Sequence, residues 1–242
     1  MKDVVQEIKG HKDVGYKPST GIFASNTIFA GDFEDELVNV TFYDVPQSHK
    51  EMEKVDAYKG QQAGYKNCSF RSHDGKASTY DAPGAFWDEE DPKNYKWTEA
   101  YDACPQLASM LDWFECPIAR VRVFQQQPGH VMATHSDFDN QKGTELGETL
   151  RIFVQLNENK GDFHYRFQTA DSDVSIQLQK GQFLIFNPDK TAHGTANTGS
   201  EVRNAFMLVV KKNEWLENLM KDDSPLPTVI DCKELAKERK VA

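Results

Sequence analysis

Residues 181–210, "GQFLIFNPDKTAHGTANTGSEVRNAFMLVV", hold two strand-like runs, "GQFLIFN" and "VRNAFMLVV", rich in aromatic and branched side chains. Gly, Asn, Asp and Pro bound them, as they bound strands in general. Between the two runs lies a turn-rich segment that carries one histidine, His193. Working back toward the N-terminus, the same texture recurs in "VSIQLQ", in "FHYRFQ" and in "TLRIFVQLNE". In "IARVRVFQQQ", Ala119, Val121 and Val123 alternate with Arg120, Arg122 and Phe124, the period of a half-buried strand. Many short strands separated by turn signals predict an all-β sandwich or barrel.

Outside this region the signals differ. "WTEAYDACPQLASMLDWF", residues 97–114, offers Thr98 as an N-cap and apolar residues at helical spacing, with Pro105 set to divide it. The tail segments "NEWLENLMKDD" and "DCKELAKERKVA" predict short flanking helices, and residues 1–95 mix short apolar runs with charged, Gly-bearing loops. We therefore expect one domain over 1–242, with an N-terminal flanking region (1–115), a β core (116–211) and a helical tail (212–242).

The chain has 242 residues, and 38 acidic against 28 basic residues give it a net charge of −10, which disfavours a nucleic-acid partner. No signal-peptide core and no apolar run of membrane-spanning length stands in the sequence, so the expectation is a soluble, cytoplasmic protein with no membrane partner. Cys68, Cys104, Cys116 and Cys232 are isolated, without a CxxC pair, and read as reduced structural thiols.

The chemistry concentrates in the β region. His135 and Asp137, in "HVMATHSD", sit two apart, so on a strand both face one way. Taken alone, His-x-Asp is a weak signal. Joined by His193 on a later strand it makes two imidazoles and one carboxylate, the facial triad that holds Fe(II) and leaves open positions. Arg203 follows ten positions after His193 inside an apolar strand, where a buried guanidinium demands a carboxylate or carbonyl partners. Arg151, in "GETLRIFVQL", poses the same question. Asp139 is an alternative ligand or a solvated loop carboxylate; His130 and His164 read as packing or surface histidines. Phe163, Tyr165 and Phe167 read by default as core, a glutamine of "FQQQ" could face the barrel interior, and Trp87 and Trp97 could belong to a lid or to a packed loop.

These residues resemble an Fe(II) and 2-oxoglutarate-dependent oxygenase with a double-stranded β-helix (jelly-roll, cupin-like) core. More narrowly, Gly129, Arg151-Ile152, Gly181, Phe186, His193, Asn197 and Arg203 are similar to the motifs of the aspartyl/asparaginyl β-hydroxylase branch. Phe153 departs from it, standing where that branch often has histidine; Gln182 and Gln155 depart too. The resemblance covers residues 118–211.

It implies that His135, Asp137 and His193 hold Fe(II) and that Arg203 and Arg151 bind 2-oxoglutarate. It further implies dioxygen as co-substrate, ascorbate as a supporting reductant, and oxidative decarboxylation coupled to hydroxylation of an unactivated C–H bond. The substrate would be a peptide or protein side chain, as for aspartyl/asparaginyl or prolyl hydroxylases, or a small molecule. Two other readings compete: a cupin-like metal isomerase or small-molecule oxygenase that does not use 2-oxoglutarate, and a binding module without redox chemistry. Arg203 argues against the former and the complete His135, Asp137, His193 set against the latter.

Overall fold

Thirteen strands and five α-helices form among the residues described by the computed structural model, which are 22–44, 64–79, 91–135, 148–168, 173–188, 191–221 and 229–239. The strands are β1 (Ile22–Ala30), β2 (Tyr43–Asp44), β3 (Tyr65–Ser72), β4 (Lys96–Trp97), β5 (Ile118–Gln126), β6 (Val131–His135) and β7 (Thr149–Gln155). They continue with β8 (Phe163–Gln168), β9 (Asp173–Ile176), β10 (Gln182–Phe186), β11 (Ala192–Asn197), β12 (Arg203–Lys211) and β13 (Val229–Asp231). A large sheet runs in the order β13-β1-β10-β7-β12-β5-β3-β2, with β4 paired to β3, and a small sheet in the order β6-β11-β8-β9.

From β5 to β12 the chain deals its strands between the two sheets. With β5 counted as first, the large sheet holds the sixth, third, eighth and first strands and the small sheet the second, seventh, fourth and fifth. The fold is a double-stranded β-helix. The flanking regions lengthen the large sheet: β1 pairs antiparallel with β10, β3 with β5, and β13 runs parallel to β1.

The large sheet separates two apolar cores. Ile152, Val154, Phe183, Ile185, Phe206 and Leu208 point to one side. There they meet the helices α1 (Phe33–Leu37), α2 (Glu99–Ala103), α3 (Pro105–Trp113), α4 (Glu214–Leu219) and α5 (Cys232–Arg239). Phe153, Leu184 and Phe186 point to the other side and meet Tyr165, Phe167, Val174 and Ile176 of the small sheet. With both faces covered, every residue of β7 is buried, as a central strand between two layers requires.

Residues 97–114 divide at the proline. Thr98 caps α2 by accepting from the Ala100 amide, and Pro105 opens α3, where the missing N–H is not needed. Among the described residues, no helix is long and apolar enough to cross a membrane.

Candidate metal and dicarboxylate site

β6 and β11 are neighbours in the small sheet, and their register places His135 opposite His193. The two rings lie 4.7 Å apart between centroids. Each ring is turned by its own backbone: His135 Nδ1 lies 2.9 Å from the Ala133 carbonyl and His193 Nδ1 3.4 Å from the Thr191 carbonyl. The Nδ1–H tautomer satisfies those carbonyls and leaves the lone pair on Nε2, the arrangement of metal-binding histidines.

The register slips by one residue between His193 and Thr195, so that Ala133 and Thr134 face Gly194 alone. A Cβ on Gly194 would come within 2.6 Å of the Met132 carbonyl oxygen. The bulge that aims the two histidines thus depends on a glycine at this position. Asp137 and Asp139 lie outside the described residues, as does Trp87. Among the described residues, no group of three His, Cys, Asp or Glu side chains gathers to hold a metal ion.

From His193 the inner face of β11 continues to Thr195 and Asn197. Phe167 pairs with His193 and Tyr165 with Thr195. Thr195 Oγ1 and the Tyr65 hydroxyl are hydrogen-bonded. Phe186 packs 4.7 Å from the His193 ring, and Phe153 stacks on Phe186 at 5.6 Å, making a dry wall behind the imidazole. The departure at Phe153 therefore puts an apolar ring in this wall.

Arg203 enters this space from the large sheet. It is 3% exposed, and its guanidinium carbon lies 4.0 Å over the Tyr165 ring. Its Nε donates to Gln155 Oε1 at 3.2 Å and a terminal nitrogen donates to Gln126 Oε1 at 2.8 Å. Among the described residues its hydrogen-bond partners are amide oxygens, with no carboxylate. Burial pushes the Tyr165 hydroxyl pKa up, with the neighbouring Arg203 pulling against it. Its phenol is neutral and donates to Gln155 Oε1. Tyr165 stands two residues along the sheet from the His193 level, a distance of roughly 7 Å.

Arg151 is also buried on the inner face but stands opposite Phe186 and Val209, four residues along β7 from Gln155. Four residues of strand amount to roughly 13 Å. The two arginines expected to share a ligand are therefore spread along the barrel, Arg203 at one end and Arg151 toward the other. Arg122, opposite Met207 on β12, is a third buried arginine of the β core.

Sequence reasoning placed Tyr165 in the core and did not assign Gln155 to the site. Alternation with Phe163 and Phe167 gives the face of Tyr165, but not that its ring would lie under a guanidinium. Gln126 comes from the "FQQQ" run and does face the interior. His130 packs its ring 4.6 Å from Tyr65, and His164 lies beside Ser175 and Gln177. Trp97 stacks on Tyr101 at 4.1 Å, on the helix side of the sheet.

No family model matches the chain, and no curated protein matches it. Solved structures do. A prolyl-4-hydroxylase from Pseudomonas putida is 13% identical, with a TM-score of 0.44 over 87% of this chain and 98% of its own. A prolyl hydroxylase from Trichoplax adhaerens, in complex with a hypoxia inducible factor oxygen degradation domain peptide fragment, is 14% identical. Its TM-score is 0.49 over 88% of this chain and 89% of its own. A 2OG-Fe(II) oxygenase family oxidoreductase from Burkholderia pseudomallei is 10% identical, with a TM-score of 0.41 over 77% and 95%.

Proposed function

We propose that the protein is a non-haem Fe(II) and 2-oxoglutarate-dependent dioxygenase that hydroxylates an unactivated C–H bond. The observation that carries this reading is one interior line. The histidine pair, with both Nδ1 atoms turned to backbone carbonyls, stands at one end of it, and at the other stands a buried guanidinium bonded to neutral oxygens.

The donor set fits the groups. His135 and His193 would ligate the ion through Nε2, with Asp137, two residues beyond His135, as the anionic third ligand. Arg203 would take the distal carboxylate of 2-oxoglutarate, with Tyr165 beside it, since a planar guanidinium pairs with carboxylate in preference to other anchors. Bound there, Fe(II) with dioxygen and 2-oxoglutarate supplies oxidative decarboxylation coupled to hydroxylation. The chain itself orients these groups and keeps the space dry, which Phe153, Phe167, Phe186 and Leu184 do on both inner faces. Arg151, near the Phe186 level, would meet an anionic group closer to the histidines than to Arg203.

The substrate is a peptide or protein side chain or a small molecule. The narrower likeness, to the aspartyl/asparaginyl β-hydroxylase branch, rests on the sequence motifs. A cupin-like metal enzyme that does not use 2-oxoglutarate would share the histidine pair but has no use for Arg203.

The test is succinate formation by the purified protein with Fe(II), ascorbate and 2-oxoglutarate, in the absence of a hydroxylation substrate. Slow turnover that His135→Ala abolishes is the expected result. The reading fails if no succinate forms and 2-oxoglutarate does not bind the Mn(II)-loaded protein.

A further inference from the structure

Among the described residues, the side chains that meet the Arg203 guanidinium, Gln126, Gln155 and Tyr165, are polar and carry no charge. Gln126 and Gln155, both buried, turn their Oε1 atoms to it. Each amide is held that way round by carbonyl oxygens that accept from its Nε2. Gln126 Nε2 donates to the His130 carbonyl at 2.9 Å. Gln155 Nε2 donates to the Asn157 side-chain oxygen at 2.9 Å, to the Asn157 carbonyl at 3.2 Å and to the Asn204 carbonyl at 3.3 Å. Asn157 is itself fixed: its Oδ1 accepts from the Asn204 amide and its Nδ2 donates to the Val202 carbonyl.

A glutamate is nearly isosteric with glutamine and, at either position, would give the guanidinium a permanent counterion. In a ligand-free protein that pairing would relieve a buried cation, because an uncompensated charge away from water is destabilising. We propose that the neutral amide cradle of Gln126 and Gln155, oriented by His130 and Asn157, is a selectivity device. It supports Arg203 without neutralising it and so reserves the charge for a ligand dicarboxylate. The inference deepens the reading of Arg203 as the 2-oxoglutarate anchor and rests on it. Gln126 and Gln155 are positioning residues that act through Arg203, and Asn157 acts one step further back.

The test compares Gln126→Glu with Gln126→Met, and Gln155→Glu with Gln155→Met. Within each pair both variants lose the amide donor, and only the glutamate adds charge. The readout is the dissociation constant of 2-oxoglutarate for the Mn(II)-loaded protein. A second probe is glutarate without metal, a dicarboxylate that lacks the 2-oxo group; both are followed by the ligand-dependent rise in urea midpoint. The methionine variants, which take an acceptor from Arg203 without adding charge, should bind more weakly than wild type, and the glutamate variants should bind at least about tenfold more weakly than their methionine partners. Equal affinities within both pairs, with wild type binding normally, would overturn the cradle and leave the 2-oxoglutarate reading standing. A wild type that responds to neither probe would overturn both. Gln155 has three donor contacts to lose and Gln126 has its bond to the His130 carbonyl, so the Gln126 pair decides if the Gln155 variants do not fold.

Discussion

At the scale of single residues the site depends on a side chain that is missing. Gly194 stands between two backbones, with the Thr134 amide 3.0 Å from where a Cβ would be, in addition to the Met132 carbonyl oxygen. Gly194→Ala should push β6 from β11 and separate His135 from His193 without removing either proposed ligand. Displacing a metal ligand's supports lowers affinity by about 10- to 100-fold, so a loss of that size in Mn(II) affinity is expected, with folding cooperativity kept. Unchanged metal affinity would show that the bulge does not set the spacing of the rings. The pair His135 and His193, which the fold sets opposite each other, was legible in the sequence because a histidine's chemistry resides in the residue type. Gln126 was legible only as one glutamine of the "FQQQ" run, and Tyr165 and Gln155 were not assigned to the site, because a phenol or an amide acquires a role only from what the fold sets against it. Gly194 gave no signal, since a glycine inside a strand has several meanings.

Among elements, α3 shows how a short helix is held against the large sheet. Its N-cap, Cys104, makes no side-chain cap. Instead the Glu36 carboxylate, from α1, accepts from the Gln106 amide at 2.8 Å and the Leu107 amide at 2.9 Å. Those bonds lower the carboxyl pKa, but burial raises it more, and the balance lies above the ordinary 4.5. The folded state therefore holds this proton to a higher pH than the unfolded state does. Stability from Glu36 is largest below about the ordinary value and falls as pH rises from there through the raised one. Urea unfolding of wild type and Glu36→Gln at a series of pH values should show the wild type's stability relative to the variant declining over that window and then levelling. A difference that instead grows with pH would mean that the two helix amides outweigh burial. The helices beyond residue 95 and the core strands were legible from periodicity and from Pro105, whereas α1 was not. The Glu36 cap was not, because its partners are some seventy positions away in sequence.

For the molecule as a whole, the large sheet divides the interior into two cores of different character, and the cysteines report on one of them. Cys68, Cys104 and Cys232 belong to the helix-side core and are fully buried, while the Arg203 guanidinium lies on the other face of the same sheet. Local alternation was enough to predict a β sandwich or barrel, and the resemblance of its motifs implied the double-stranded β-helix. That β1 and β13 extend the large sheet could not be read locally, since parallel pairing of β13 with β1 joins segments about two hundred residues apart. Burial pushes all four thiols up to about 12. A thiol reagent needs the thiolate, so at pH 8 the native protein should label slowly at every cysteine despite four free thiols. Cys68 and Cys104 come from β3 and the α2–α3 junction and Cys232 from α5, so they can meet reagent together only when the helix layer leaves the sheet. Site-resolved mass spectrometry over time should therefore give these three a single labelling rate, rising with urea as one cooperative unit. A Cys232 that labels well ahead of Cys68 would show instead that α5 and β13 open separately from the sheet they complete.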